Sequence, residues 1–281
     1  MSVKNFIPQI WSRSIFKTYD KAFEYAALTN RQYQGDIAQF GDRVKINEIG
    51  DVSTNAYSGT VSYEDPEDAS KFLIIDQQQF SGVQMDDIDA AQVNPAIVKE
   101  VTRKMGVSMA DTVDQYIASL YTDAGISNAT LGLTTGVCAL QSTEIVEYLS
   151  YVGQLMDENN NPKQGRVAIV PPWFLHKMTL AKITKDTNNS ATITEGYAGR
   201  MLGWDVYMSN NTPHSSTTWY APMFFIKNDT IAFAEQIVQT EALRDIASFK
   251  DYLRALMVYG AKVVRPSSLA VGYVSNQSES E

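Results

Sequence analysis

The spacing of apolar residues changes from segment to segment along this chain, and each spacing predicts a different element. From Gly41 to Gln79 the repeat is two. Val44 and Ile46 alternate with Arg43, Lys45 and Asn47, while Tyr57, Val61 and Tyr63 are separated by small polar residues. That alternation predicts strands with one face turned inward. The turn-forming run Glu64-Asp65-Pro66-Glu67-Asp68 interrupts it before the apolar stretch Phe72-Leu73-Ile74-Ile75. A long strand pair that buries little is marginal in water on its own. Val44, Ile46, Val61 and Phe72 to Ile75 are therefore expected to rest largely on another molecule.

Past Asn94-Pro95, a helix start with Asn as cap and Pro at the first position, the repeat becomes four. Ile97, Val101, Met105, Met109, Val113, Ile117 and Tyr121 recur at that interval. Each step overshoots the helical turn by about 40°, so the stripe winds roughly 240° over six steps. The spacing predicts a spine helix over about 95–122 that meets different neighbours along its length. A second helix with Ile145, Val146, Leu149, Val152, Leu155 and Met156 on one face is expected to be capped by Ser142 or Thr143. A buried strand Val167–Val170, the stop Pro171-Pro172 and a short helix around Trp173–Ala181 follow. Further strands are expected at 205–208, 219–221, 224–227, 231–234 and 252–264. Together these elements predict an α+β fold with two lobes.

Composition refines this picture in a few places. With 281 residues, 44% hydrophobic and 20% charged, the chain has the balance of a globular protein able to build its own core. The single cysteine, Cys138, sits in the apolar run Val137–Leu140 and reads as a buried, inert thiol. Residues 1–8 carry no signal-peptide pattern, and no uncharged apolar run approaches twenty residues. A cytoplasmic protein that does not span a membrane is expected.

The net charge of −9 would repel a phosphate backbone over most of the surface. Between residues 4 and 31, however, Lys4, Arg13, Lys17, Lys21 and Arg31 outnumber Asp20 and Glu24. The same stretch carries Pro8 and scattered aromatics: Phe6, Trp11, Phe16, Tyr19, Phe23 and Tyr25. It reads as an arm, residues 1–35. Trp11 and Phe16 are expected to anchor in apolar grooves of a neighbouring copy, and Arg13, Lys17 and Lys21 to reach its acidic surface.

Candidate chemistry is sparse. The two histidines, His176 and His214, stand in no metal-ligand spacing, and His176 is expected to be partly buried. No nucleophile elbow, phosphate loop or dinucleotide fingerprint occurs, and Gly196, Gly199 and Gly203 are spaced for turns. The acids Asp86, Asp87 and Asp89 lack calcium-loop spacing and read as the acidic approach to a helix. No catalytic, cofactor or metal site is assigned, and a structural, self-assembling protein is expected rather than an enzyme.

Several short segments follow one another along the chain: Phe6-Ile7-Pro8-Gln9-Ile10-Trp11-Ser12, Tyr33-Gln34-Gly35-Asp36-Ile37, Gly41-Asp42-x-Val44 and Asp87-Ile88-Asp89-x-x-Gln92. Gly165-Arg166-Val167-Ala168-Ile169-Val170-Pro171, Gly203-x-x-Val206-x-x-Ser209-Asn210 and Tyr259-Gly260-Ala261-Lys262-Val263-Val264-Arg265-Pro266 continue the series. In this order the segments resemble the major capsid proteins of tailed bacteriophages of the Hong Kong 97 type.

The resemblance implies an arm (1–35), an extended β-hairpin loop (36–85), a spine helix with a peripheral lobe (86–135), an axial lobe (136–225) and return strands completing both lobes (226–281). It implies hexamers and pentamers that close into an icosahedral shell around double-stranded DNA, with arm and loop residues Trp11, Arg13, Phe16, Lys17, Lys21, Val44, Ile46, Tyr57, Val61, Phe72 and Ile74 at subunit contacts. Separate portal and decoration proteins are implied; the chain departs from some relatives in having no scaffolding segment ahead of Phe6, so either a separate scaffolding protein or an already processed chain is expected. Lys71 is the loop lysine that some relatives cross-link, read here as solvated. An encapsulin-type shell and a soluble hydrolase are the alternative readings.

Overall fold

A computed structural model describes residues 23–32, 43–49, 68–86, 95–127, 136–181, 197–215, 219–244 and 250–278. In chain order, a 3-10 turn at Ala26–Leu28 precedes strands β1 (Arg43–Ile49), β2 (Asp68–Ile74) and β3 (Gln77–Asp86). Helix α1 (Pro95–Ser119) ends in a 3-10 turn, Leu120–Asp123. Strand β4 (Cys138–Leu140), helix α2 (Ile145–Glu158), strand β5 (Arg166–Val170) and helix α3 (Pro172–Leu180) come next. Then follow β6 (Tyr197–Met201), β7 (Trp204–Met208), β8 (His214–Ser215), β9 (Trp219–Tyr220) and β10 (Met223–Ile226). Two long strands, β11 (Ile231–Arg244) and β12 (Lys250–Val263), lead to the short β13 (Ala270–Val271) and β14 (Val274–Asn276).

The strands form four sheets. One is the hairpin β1-β2, and a second is the long antiparallel sheet β11-β12-β3. A five-stranded mixed sheet runs β13-β10-β5-β7-β6, and a small sheet runs β4-β14-β9-β8.

The five-stranded sheet is a partition between two cores, because its central strands are apolar on both faces. In β5, Val167 and Ile169 join the core built on α1 and the long sheet, while Ala168 and Val170 join the core under α2 and α3. Strand β10 repeats the division, with Met223 and Phe225 on the first side and Phe224 and Ile226 on the second. The two lobes thus share a wall.

Helix α1 buries Met105, Met109, Val113 and Ile117 as the spacing predicts, together with Ala110 and Ala118. All belong to the first core, where the helix meets the N-terminal segment, the long sheet and one face of the partition. Helix α2 buries Ile145, Leu149, Val152 and Met156 as expected and adds Tyr148, whereas Val146 is exposed. The expected cap at Ser142 or Thr143 is corrected: the helix starts after Glu144, whose carboxylate accepts the Gln141 N–H at 2.9 Å. Asn94 and the acids Asp87 and Asp89 lie outside the described residues.

The assignment of 1–35 to an arm is corrected at its C-terminal end. Phe23, Tyr25, Ala26 and Leu28 are buried in the first core. Asn30 bridges to Ala232 at the edge of β11, donating to the Ile231 carbonyl and accepting from Phe233 N–H. Residues 23–31 therefore belong to the body. His176 is exposed, against the expectation of partial burial, because the neighbouring Lys177 takes the inward position on α3. No described helix is long and apolar enough to cross a membrane.

Candidate assembly surface

Strands β1 and β2 pair without interruption from Arg43↔Ile74 to Ile49↔Asp68. Period two divides the pair into two faces. Val44, Ile46, Leu73 and Ile75 point inward and form a third core with Ala232, Ala234 and Val258 of the long sheet. The expectation that Val44, Ile46, Leu73 and Ile75 rest on another subunit is therefore overturned. Small residues of β11 and the absence of a side chain at Gly260 leave a flat landing, and the hairpin's backbone settles onto β12 there. Lys71 is half-buried rather than solvated, donating from Nζ to the Val264 carbonyl.

The outward face keeps the rest of the alternation. Phe72 is 49% exposed and Ile74 43%, each beside its exposed cross-strand partner, Lys45 and Arg43. The result is a short apolar ridge flanked by two cations.

The direction of the hairpin is fixed where it joins β3. The Tyr116 hydroxyl of α1 donates to Asp76 at 3.3 Å and its ring meets Tyr259 edge-on, with centroids 5.3 Å apart. Burial, and then the Asp76 charge, push the Tyr116 phenol up to about 12, so it stays a donor.

Among the described residues, the hairpin covers one end of the long sheet's outer face. Val258 and Gly260 lie beneath it, and the same face continues through Leu256 and Arg254, paired with Phe80 and Gly82 of β3. On β11 the bulge between Ile237 and Gln239 keeps Glu241 opposite Arg254 and Leu243 opposite Tyr252. Phe80 is 80% exposed, and Leu243 further along β11 is exposed too. With Gly82, Glu241, Arg254, Ala255 and Leu256, Phe80 lines a shallow groove of about 410 Å³. Arg254 Nε donates to Glu241 at 2.8 Å, so the groove's charges pair with each other.

Of the residues expected at subunit contacts, Phe72 and Ile74 lie outward, and Val44 and Ile46 are buried within the chain. Trp11, Arg13, Phe16, Lys17, Lys21, Tyr57 and Val61 lie outside the described residues. Sequence reasoning missed Phe80, although a lone aromatic amid Gln77-Gln78-Gln79 and Ser81-Gly82 on a strand was a usable signal. No cluster of three or more His, Cys, Asp or Glu side chains placed to hold a metal occurs among the described residues.

A family model described as phage capsid protein matches residues 75–272, from the end of the hairpin through the long sheet to β13. The chain belongs to the phage capsid protein family. A solved structure of Mycobacterium phage Che8 is similar to this capsid protein at 27% identity and a TM-score of 0.71, covering 89% of this chain and 90% of that one. The capsid structure of cyanophage P-SCSP1u superposes with a TM-score of 0.70 at 18% identity, covering 92% and 89%. A virus-like particle from Pyrococcus furiosus shares the fold at 10% identity and a TM-score of 0.59, covering 92% and 96%. No curated protein sequence matches the chain. The capsid family and fold are those of a structural protein, a subunit of the phage capsid.

Proposed function

We propose that copies of this capsid protein join by seating the Phe72 and Ile74 ridge of one subunit in the Phe80 and Leu256 groove of the next. The observation that carries the reading is the uncovered end of the long sheet, where an 80% exposed phenylalanine continues a face that the subunit's own hairpin covers at its other end. Exposed apolar surface of this kind marks an interaction site. Ridge and groove are different patches, so the contact is heterologous, and such contacts close into rings when the rotation fits. Hexamers and pentamers are those rings, and an icosahedral shell around double-stranded DNA is their assembly.

In this reading residues 1–22 form the arm, whose Trp11 and Phe16 anchor on a neighbour while Arg13, Lys17 and Lys21 meet its acidic surface. Tyr57 and Val61 extend the hairpin contact. The spine helix with the long sheet forms the peripheral lobe, and the partition with α2 and α3 forms the axial lobe. Scaffolding, portal and decoration proteins act as separate partners, and assembly takes place in the host cytoplasm. An acidic wall suits packaged DNA because it does not hold it by charge.

Sedimentation of Phe72→Ser, Phe80→Ser and the double variant tests the pairing. Each single variant is expected to lose assembly while its melting temperature stays near that of the wild type, and the double variant should be no worse than either single. Full assembly of Phe80→Ser would refute the groove, and strictly additive losses would refute its pairing with Phe72.

A further inference from the structure

Asp114 is a carboxylate on α1 that is 1% exposed, deep in the first core. Its two oxygens accept backbone N–H groups of the N-terminal segment, Glu24 N–H at 2.7 Å and Ala26 N–H at 3.1 Å. Among the described residues no ion pair balances it. The segment's cation, Arg31, pairs with Glu235 of β11 at 3.1 Å and lies over the rings of Phe23 and Phe233.

Among the described residues, the charged group that acts on Asp114 is the Glu24 carboxyl. From the segment come the Glu24 carboxyl and the fully buried Tyr25 phenol, which burial pushes well up. From α1 itself comes Asp111, held by the Asn211 amide at 2.6 Å. The loop after β7 offers Ser209 and Thr212, which are neutral, and its His214 turns Nδ1 to the Thr212 carbonyl and stacks on Tyr220. Three carboxyls thus meet where the segment docks.

We propose that residues 23–31 form a proton-sensitive clasp, in which uptake of a proton by Asp114 tightens the attachment of the N-terminal segment to the spine helix. In sequence the segment directly follows the stretch that carries Lys4, Arg13, Lys17 and Lys21, so the clasp bears on how firmly that stretch is tethered. A buried carboxylate is disfavoured by desolvation, and hydrogen bonds from the segment's backbone N–H groups offset this only in part, so Asp114 is pushed up from 3.8 to about 6. Burial raises Glu24 in the same direction, with a hydrogen bond from Ser209 opposing it. A group raised in the docked state contributes stability that is complete below its undocked value and is lost as pH rises through about 6. The clasp therefore tightens on acidification.

Hydrogen–deuterium exchange of the full-length chain, read at residues 24–31 and corrected for intrinsic rates, tests this. Protection is expected to rise about tenfold between about pH 7.5 and about pH 5. Residues 148–156 of α2 should show no such rise. Asp114→Asn should remove the response, and Glu24→Gln should retain it. A wild-type profile that is flat or falls in acid overturns the proposal whatever the variants do. So does an acid response that survives Asp114→Asn or disappears in Glu24→Gln.

Discussion

The carbonyl oxygen of Ile74 fills the space that a side chain at Gly260 would need. Gly260 lies on β12 opposite Ala234 of β11, so the hairpin touches the long sheet backbone to backbone at this point. A Cβ there must lift β2, and with it Leu73 and Ile75 from the third core.

Gly260→Ala is accordingly expected to cost about 1 to 3 kcal/mol, the usual range for overpacking. The loss should concentrate in the hairpin. Limited proteolysis should cut near residues 43–49 and 68–74 well before the core around Val167 and Phe225 is touched. Equal protection of the hairpin in variant and wild type would show that the close approach carries no strain.

Lys177 is a buried cation on α3. Its Nζ donates to the Leu140 carbonyl at 2.6 Å and to the Gln277 carbonyl, tying α3 to β4 and to the chain just after β14. Lys177→Met keeps the stem but strands both carbonyls, which should cost about 2 kcal/mol. Thermal melting checks the loss, and exchange at residues 274–277 should rise with it.

The arm predicts a division between apolar and charged contacts. Exposed ion pairs contribute about 0 to 1 kcal/mol each, whereas burial of a large aromatic contributes about 2 to 3 kcal/mol. Trp11→Ala should therefore lower the shell's thermal stability more than Lys17→Ala does. Only the lysine effect should fade in about 1 M salt, where the Debye length is near 3 Å. The unassembled subunit should melt unchanged in both variants.

Much of the scaffold was legible because its periodicity is local. Met105, Met109, Val113 and Ile117 announce α1, and the unbroken apolar run of β5 announces a strand buried on both faces. The hairpin's inner support was not legible. Val44 and Leu73 meet Ala232 and Val258, which lie more than 150 positions away in the sequence, and small residues there carry no signal of a landing. Sequence distance also hid the clasp: Phe23 and Tyr25 look like arm aromatics until Asp114 is seen to hold the backbone at Glu24 and Ala26. Lys177 drew no reading at all, because the Leu140 and Gln277 carbonyls it ties lie far from it in the sequence. Phe72 to Ile75 is an unbroken apolar run, so which of its residues face outward was not legible either; the pairing with β1 and the third core turn Leu73 and Ile75 inward and leave Phe72 and Ile74 out.

The central claim is that this subunit closes shells through a ridge and a groove on successive copies. Electron microscopy of particles from the full-length chain, expressed alone and with a scaffolding partner, tests it most directly. The account predicts closed shells built of five- and six-membered rings, with Phe72 of one subunit against Phe80 of the next. A strict monomer under both conditions, or shells in which Phe80 faces solvent, would contradict it.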